Sequence, residues 1–347
     1  PVKIAQLDRL LFAKKMILES AMSMTEIAFA SGFQSIRRFN SAFKQTFERT
    51  PSEIRRTKKA DASGEITVTL PYREPYSFST LLAFFKKRQI NGVEHITETS
   101  YTRTIRLGKT EGFFSVSDHQ PNAHLIVRLH LNQTHDLMKI IHRIKRMFDL
   151  IADHQHISDS LKACSTLNPY LKTFPHLPGS WDCFEFSIRA ILGQQVSVAA
   201  ATTFATRIAE QYGKKCTLPN KDLCFFFPDA SELEDVEYES IGLTTTRKRT
   251  LQTFVQAVQN GLELDYTKDL NTFTNQLTKL KGIGPWTANY IAMRGLSDPD
   301  AFPEKDLGLI KALQQIRPSL TAKEVAELSD RWRPWRSYAV MALWNSL

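Results

Sequence analysis

An alternation of apolar and polar residues, the pattern of half-buried β-strands, is confined to one part of this 347-residue chain. It occurs in ITVTLPY and again through residues 94–130, with a helix-like stretch, FSTLLAFFKKRQI, between them. The sequence before this part, and that from about residue 134 onward, has helical periodicity instead. The chain is therefore predicted to be mainly α-helical, with one α+β subdomain.

A polar, glycine-containing stretch, TKKADASGE, separates the first helical part from the strands and is predicted to be a linker. These patterns divide the chain into a helical head (1–57), the linker (58–65), an α+β domain (66–135) and a large helical domain (136–347). The chain begins without Met inside the head, which indicates a truncated amino end. No apolar run approaches the roughly 20 residues of a membrane span, so no membrane association is expected.

Positive charge is concentrated in the head. The formal net charge is +9, and residues 1–60 contain 12 Lys and Arg against 5 Asp and Glu, which leaves only +2 for the remainder. Such a head indicates either a polyanionic partner or a merely solvated basic surface. The four cysteines are scattered without metal-ligand spacing, and reduced thiols in a cytoplasmic protein are the expectation.

The head also carries the pattern of a helix-turn-helix. After a glycine-containing turn, apolar residues recur every four positions at Phe39, Phe43 and Phe47, which predicts one buried stripe. The opposite face presents Arg37 and Arg38, a residue type that pairs with base edges and phosphates. This stretch, closed by FERTPSEIRR, resembles the second helix-turn-helix of an AraC-type regulator. A single such unit implies attraction to DNA phosphates more than sequence-specific binding.

The segment LKGIGPWTANYIAMRG (280–295) predicts a tight turn that opens into a helix. Gly282 and Gly284 flank Ile283 in this turn, where a positive φ is favourable only for glycine. Pro285 suits the first position of the following helix. The turn exposes backbone N–H groups at a helix N-terminus, which can hold a phosphate of DNA. A plain turn between two helices would have the same pattern.

Asp306 follows a proline and precedes the apolar run LGLIKAL, the position of a helix N-cap or a first-turn acid. With RAILGQQVSVAAA (189–201), RWRPWRSYAVMALW (331–344) and the strand-bearing part, the hairpin and this aspartate resemble the AlkA-type DNA-3-methyladenine glycosylases II. The resemblance covers about four fifths of the chain. It implies a helix-hairpin-helix DNA glycosylase fold, here preceded by the helix-turn-helix head.

The resemblance also implies the residues of a site. Asp306 matches the catalytic aspartate of the family, Trp286, Tyr290 and Trp344 match aromatic residues of its base pocket, and Phe84 is expected to join them. An alkylated purine is cationic and electron-poor, which favours stacking on Trp and Tyr. A carboxylate beside the breaking glycosidic bond stabilises the positive charge that develops on the sugar, or activates the attacking water.

Other residues receive more limited predictions. Gln195 stands where a relative of this type has a leucine that fills the gap left by the flipped base, although Gln195 could instead cap an interhelical loop. Arg189, Arg294 and Lys311 are predicted to lie at the surface or to form structural ion pairs. The resemblance further implies a monovalent cation, Na⁺ or K⁺, held by backbone carbonyls of the hairpin near Lys281.

Superfamily members that also cut the DNA backbone carry a lysine where this chain has Trp286. We therefore expect a monofunctional enzyme that excises alkylated purines such as 3-methyladenine by hydrolysis. No cysteine follows Cys224, so no iron–sulfur cluster is expected. The zinc-binding module that precedes the head in longer relatives is absent from this sequence, so no zinc is expected either.

The alternative function is a non-catalytic DNA-binding regulator of the alkylation response that keeps only the grip on DNA. The presence of Asp306 together with the aromatic set favours the enzyme. In either case the expected partner is double-stranded DNA, which carries damaged bases in the case of the enzyme. The protein is expected to act as a monomer in the bacterial cytoplasm, at the nucleoid.

Overall fold

A computed structural model describes residues 1–55, 65–171, 173–216, 218, 220–265 and 269–347. The predicted linker 58–65 lies outside the described residues, except for Glu65. Helices predominate, and one five-stranded sheet follows the head, so the predicted fold class is confirmed. Among the described helices, none combines the length and the apolar character that crossing a lipid bilayer requires.

The head consists of four helices, α1 (Val2–Glu19), α2 (Met24–Ala30), α3 (Ile36–Phe47) and α4 (Pro51–Ile54). Reciprocal side-chain hydrogen bonds begin α2 and α4, because a hydroxyl residue precedes each helix and a glutamate occupies its third position. The predicted phenylalanine stripe is confirmed: successive ring centroids of Phe39, Phe43 and Phe47 lie 5.5 and 4.6 Å apart. This packing leaves Arg37 and Arg38 on the exposed face of α3.

The sheet is antiparallel throughout, with the strand order β1-β5-β4-β3-β2. Its strands are β1 (Ile66–Pro71), β2 (Glu94–Ile96), β3 (Ser100–Leu107), β4 (Thr110–His119) and β5 (His124–Leu131). The register aligns Tyr101, Val116, Val127 and Val68 in one row across four strands, and all four are fully buried. The alternating pattern of the sequence therefore marks the buried face of this sheet.

Two helices cover the sheet core: α5 (Phe78–Lys86), which lies between β1 and β2 in the chain, and α6 (Leu137–Met147). The buried residues of α6 recur at helical spacing and belong to the same apolar cluster as the strands. The core of the α+β part thus continues beyond the predicted boundary at residue 135, because the sheet needs the apolar face of α6 to cover it.

The remaining helices form the helical domain around a second apolar cluster. They are α7 (His154–Lys162), α8 (Cys183–Leu192), α9 (Val198–Tyr212), α10 (Thr245–Gln259), α11 (Leu270–Thr278), α12 (Pro285–Gly295), α13 (Leu307–Gln314), α14 (Ala322–Ser329) and α15 (Arg336–Trp344). Helix α8 is buried at eight of its ten positions and packs against α12. It therefore lies at the centre of the helical domain.

A buried ionic network joins the sheet to α8. The Arg103 guanidinium on β3 lies 2.6 Å from the Glu185 carboxylate and 3.6 Å from that of Glu94. Arg189 contacts the same two carboxylates at 3.3 and 3.4 Å. Opposite charges alternate in this network, which offsets the cost of removing four ionised groups from water.

A second buried carboxylate joins distant parts of the helical domain. Asp149 accepts hydrogen bonds from the Tyr338 hydroxyl at 2.8 Å and the Leu177 backbone N–H at 2.8 Å. The His154 ring nitrogen Nε2 lies 2.9 Å from the same carboxylate. The beginning of α15 is thereby connected to the residues that follow α6.

Stability should fall as the pH drops below neutrality because of His176. This residue is 2% exposed, its Nε2 accepts the Ser77 backbone N–H at 2.9 Å, and burial lowers the pKa of its ring to about 3. Below pH 6.5 the unfolded chain binds a proton at this histidine, whereas the folded chain does not. The free energy of unfolding therefore falls by about 1.4 kcal/mol per pH unit. From pH 7.5 to 5, urea unfolding should show a loss of about 2 kcal/mol from this group.

The variant His176→Gln should have a lower free energy of unfolding at pH 7.5 and a flatter pH dependence. The exposed His156→Gln is the matched control and should keep the wild-type slope. An unchanged slope in His176→Gln would contradict the assignment.

Candidate active site

The hairpin between α11 and α12 depends on one glycine for its shape. Gly282 has φ +96°, and a Cβ at this position would lie 2.0 Å from Thr250 Oγ1. The predicted positive φ is thus confirmed for Gly282 but wrong for Gly284, whose φ is −89°. Gly284 is the N-cap of α12, and a Cβ there would meet no atom within 4 Å. The space beside the N-cap of α12 is therefore open, as phosphate binding at this helix end requires.

The side chains at and beside the hairpin differ in their exposure and in their contacts. The Ile283 side chain is 3% exposed and packs in the core, so it holds the turn in place and cannot contact DNA itself. Lys281 is exposed beside it. Gln194 Nε2 donates to the Gly282 carbonyl at 2.9 Å and lies 3.1 Å from Thr287 Oγ1. Gln194 thus connects the α8–α9 loop to the hairpin, a contact between segments that local pattern does not predict.

Gln195, the next residue, is exposed and has a left-handed backbone with φ 56°. A non-glycine residue rarely adopts this conformation, so its neighbours must hold it there. The backbone carbonyl of Gln194 accepts a hydrogen bond from the Arg247 guanidinium, which fixes the loop from one side. The side chain of Gln195 is consequently presented to solvent from a fixed loop.

Asp306 begins α13 and has three N–H donors around its carboxylate. Oδ1 accepts the Leu309 backbone N–H at 2.9 Å and the Trp344 indole N–H at 3.0 Å, while Oδ2 accepts the Trp286 indole N–H at 2.9 Å. The predicted helix-cap position is therefore confirmed. Gly308 makes room for this arrangement, because a Cβ there would lie 2.9 Å from Asp306 Oδ1.

A cavity of about 260 Å³ is lined by three of the predicted aromatic residues, Trp286, Tyr290 and Trp344, two of which donate hydrogen bonds to Asp306. The Tyr290 ring centroid lies 5.1 Å from that of Trp286 and 5.8 Å from that of Trp344. Phe186 of α8 packs edge-on to Tyr290 at 5.1 Å and also lines the cavity. The indoles that bind Asp306 are thus also walls of the cavity.

Phe84 is not among the residues that line this cavity. Its ring lies beneath two guanidinium groups, with Arg88 at 3.7 Å and Arg294 at 4.5 Å from the ring centroid. Both arginines line the cavity, so Phe84 supports the cavity wall from behind. The predicted place of Phe84 among the lining residues is therefore wrong.

The two arginines and the lysine that were predicted to be superficial or structural differ from one another. Arg189 forms the predicted ion pairs, with Glu94 and Glu185, and Lys311 is exposed. Arg294 is 3% exposed yet forms no ion pair with a described carboxylate, because its guanidinium donates to the backbone carbonyls of Pro178 and Gly179. Burial lowers the pKa of Arg294 to about 9, and the nearby Tyr290 hydroxyl partly offsets this. For Arg294 the prediction was wrong.

The site residues fall into two groups in space. Trp286, Tyr290 and Trp344 pack against the helical domain's core, whereas Arg37 and Arg38 belong to the head, whose core is continuous with that of the sheet. The head contacts the sheet through Glu19, which accepts hydrogen bonds from the Thr69 backbone and hydroxyl at 3.2 and 2.9 Å.

Known proteins are similar to this chain both in the head and in the part that contains the cavity. Residues 1–57 match a helix-turn-helix domain family, and residues 67–182 match the AlkA N-terminal domain. A Mycobacterium tuberculosis protein described as a probable bifunctional transcriptional activator/DNA repair enzyme AlkA is 35% identical, over 100% of this chain and 71% of its own length. DNA-3-methyladenine glycosylase 2 of Escherichia coli is 31% identical, over 80% of this chain and 96% of its own length.

Two solved structures share the fold at low sequence identity. The 3-methyladenine DNA-glycosylase of Archaeoglobus fulgidus has a TM-score of 0.70 at 17% identity, over 80% of this chain and 97% of its own. An 8-oxoguanine glycosylase/lyase of Clostridium acetobutylicum has a TM-score of 0.66 at 19% identity, over 84% of this chain and 97% of its own. The fold is therefore that of the helix-hairpin-helix DNA glycosylases. With the sequence relatives, it shows that the chain belongs to the AlkA-type DNA-3-methyladenine glycosylase family, with an AraC-type helix-turn-helix at its amino end.

The two hairpin glycines should respond differently to substitution by alanine. Gly282→Ala places a methyl group against Thr250 at a positive φ, so we expect a loss of about 1–3 kcal/mol in stability and of DNA binding. Gly284→Ala meets no protein atom, so it should stay within about 1 kcal/mol of wild type and yet weaken DNA binding, because the methyl group occupies the phosphate seat.

Thermal unfolding and duplex affinity at fixed salt check both expectations. If Gly284→Ala bound duplex as tightly as wild type, the N-terminus of α12 would not be a phosphate site.

Proposed function

We propose that the protein is a monofunctional DNA glycosylase that excises alkylated purines, such as 3-methyladenine, by hydrolysis of the N-glycosidic bond in base excision repair. One observation carries this proposal: the carboxylate of Asp306 is fixed by the N–H groups of the same two indoles that line an aromatic cavity. A catalytic carboxylate and a stacking surface for a base are thereby built from shared residues.

The carboxylate contributes to catalysis mainly by its charge. As the glycosidic bond breaks, positive charge develops on the sugar, and a carboxylate about 4 Å away stabilises it by about 4 kcal/mol at an effective dielectric of 20. That energy corresponds to about a thousandfold in rate. Oδ2 of Asp306 accepts one described N–H and keeps a lone pair, with which it can orient or deprotonate the attacking water.

Selectivity follows from the cavity and from base flipping. The target base must leave the duplex stack, at a cost of a few kcal/mol that is smallest for damaged bases. In the cavity it stacks against the Trp286, Tyr290 and Trp344 rings, and an electron-poor alkylated purine gains most from these faces. Gln195, exposed on its fixed loop, fills the gap in the duplex or hydrogen bonds the orphaned partner base.

The grip on DNA has two proposed components. The N-terminus of α12 binds a phosphate, and a monovalent cation at the hairpin assists, since the Gly282 carbonyl keeps a lone pair beyond its bond from Gln194. The exposed Arg37 and Arg38 of the head add phosphate contacts that weaken as salt increases.

Asp306→Asn tests the catalytic role without removing the helix cap, because asparagine can also accept the Leu309 N–H. The substitution removes the charge, so single-turnover release of 3-methyladenine from a duplex should fall about a thousandfold. The melting temperature should fall modestly, because the amide nitrogen cannot accept the Trp286 indole N–H. The exposed Asp330→Asn makes the same chemical change elsewhere and should match wild type. Equal release by Asp306→Asn and wild type would refute the enzymatic function.

The absence of strand cleavage is a separate expectation. Trp286 donates its indole N–H to Asp306 and offers no amine for a Schiff base with the sugar. Borohydride treatment during turnover should therefore trap no covalent protein–DNA complex. A trapped complex would contradict a monofunctional enzyme, and its loss in Lys281→Ala or Lys305→Ala would identify which of two exposed lysines had reacted.

A further inference from the structure

Two of the four free thiols lie on a short antiparallel ladder that follows α9. Lys215 pairs with Phe225 in this ladder, and the Cys216 backbone N–H donates to the Cys224 carbonyl at 2.9 Å. Cys216 and Cys224 are therefore directly opposite each other, one position along from the Lys215–Phe225 pair. We call these four residues the cysteine ladder.

Opposite positions of an antiparallel ladder have a geometry that suits a disulfide. The Cα atoms of a hydrogen-bonded pair lie about 5.5 Å apart, and the two side chains are on the same face. A disulfide joins Cα atoms that are roughly 4.4–6.8 Å apart, so the bond between Cys216 and Cys224 is compatible with the backbone as it stands. The two thiols already influence each other, because burial and then the charge of the Cys224 thiolate raise the pKa of Cys216 to about 11.

The four cysteines differ in their access to an oxidant. Cys224 is exposed, whereas Cys216 is half-buried, with its Sγ 3.6 Å from the carbonyl of Leu223, the residue before Cys224. An oxidant therefore reaches Cys224 first, and Cys216 is placed to react with the oxidised sulfur. Cys164 and Cys183 are buried in the core of the helical domain, which shields them from the same reagent.

The cysteine ladder connects the helical domain to the α+β domain. The Gly92 carbonyl, just before β2, accepts the backbone N–H groups of Cys224 and Phe225 at 2.7 and 3.0 Å. The hydroxyl of Thr104 on β3 donates to the Phe225 carbonyl at 2.8 Å. The other side of the ladder, with Cys216, continues the chain from α9. A covalent bond across the ladder would therefore strengthen a junction between the two domains.

We propose that Cys216 and Cys224 form a redox modification site, in which a hydroperoxide converts the two thiols into a disulfide. The Cys224 thiolate attacks a peroxide oxygen, the O–O bond breaks, and an alcohol or water leaves while Cys224 becomes a sulfenic acid. The Cys216 sulfur then attacks the sulfenic sulfur. The S–S bond forms, and the hydroxyl leaves as water with the Cys216 proton. The two thiols lose two electrons in total, and the hydroperoxide accepts them. This site is independent of the proposed glycosylase function.

Peptide mapping without reduction tests the proposal. The folded protein is treated with hydrogen peroxide, the remaining thiols are alkylated, and the chain is digested with trypsin. Cleavage after Lys215 and Lys221 places Cys216 and Cys224 in two different peptides. These peptides should be recovered joined, with a mass lower than the sum of the reduced peptides by that of two hydrogen atoms. A reductant should separate them.

Serine variants separate the parts of the two thiols. Cys224→Ser should prevent the linkage and leave Cys216 alkylated. Cys216→Ser should stop the reaction at the sulfenic acid of Cys224, which dimedone should then label. Cys164→Ser is the matched control, because it removes a buried thiol outside the ladder, and it should give the same joined peptides as wild type.

Thermal unfolding shows whether the bond fits the fold. Oxidised wild type should melt at a higher temperature than the reduced protein, because the bond constrains the unfolded chain, and Cys224→Ser should show no such difference. A lower melting temperature after oxidation would overturn the proposal. So would recovery of Cys216 and Cys224 in separate peptides after peroxide treatment, or a bond from either of them to Cys164 or Cys183.

Discussion

The candidate site depends on the hydrogen bonds that two indole N–H groups donate to the carboxylate of Asp306. The three side chains come from three helices, α12, α13 and α15, and from positions up to 58 residues apart in the chain, Trp286 to Trp344. An indole can only donate and an ionised carboxylate can only accept, so the pairing fixes the orientation of all three groups. The same bonds orient the two indole rings that line the cavity, so the aromatic walls and the carboxylate depend on each other.

Two further contacts fix the position of the hairpin and of α8 relative to their neighbours. Gln194 bonds the hairpin to the α8–α9 loop, and the Arg103–Glu185 pair joins α8 to the sheet. The strand-bearing part is therefore a support for the cavity: Phe84 on α5 carries the two guanidinium groups that complete the wall. An ion pair buried at such a junction favours one relative placement of the two parts, because any displacement would leave a charge without its partner.

Local pattern in the sequence was sufficient for several features with a local cause, although it wrongly predicted a positive φ for Gly284. The alternation that placed the strands, the glycine of positive φ at 282 and the N-cap position of Asp306 each depend on a few neighbouring residues. Features that depend on tertiary contacts were missed. The resemblance predicts Phe84 in the cavity, but Arg88 from the turn after α5 and Arg294 from α12 cover its ring. For Arg294 the prediction was a surface position or an ion pair, but its guanidinium donates hydrogen bonds to two backbone carbonyls instead.

Helix α15 has a carboxylate contact at each end: Tyr338 donates to Asp149 near its beginning, and Trp344 donates to Asp306 at its last residue. The six residue steps from Tyr338 to Trp344 correspond to about 9 Å of helix, a length that the backbone hydrogen bonds hold fixed. The helix thus acts as a spacer of fixed length between its contacts with the carboxylates of Asp149 and Asp306. The wall that Trp344 contributes to the cavity therefore cannot be displaced by lengthening α15 between these two contacts.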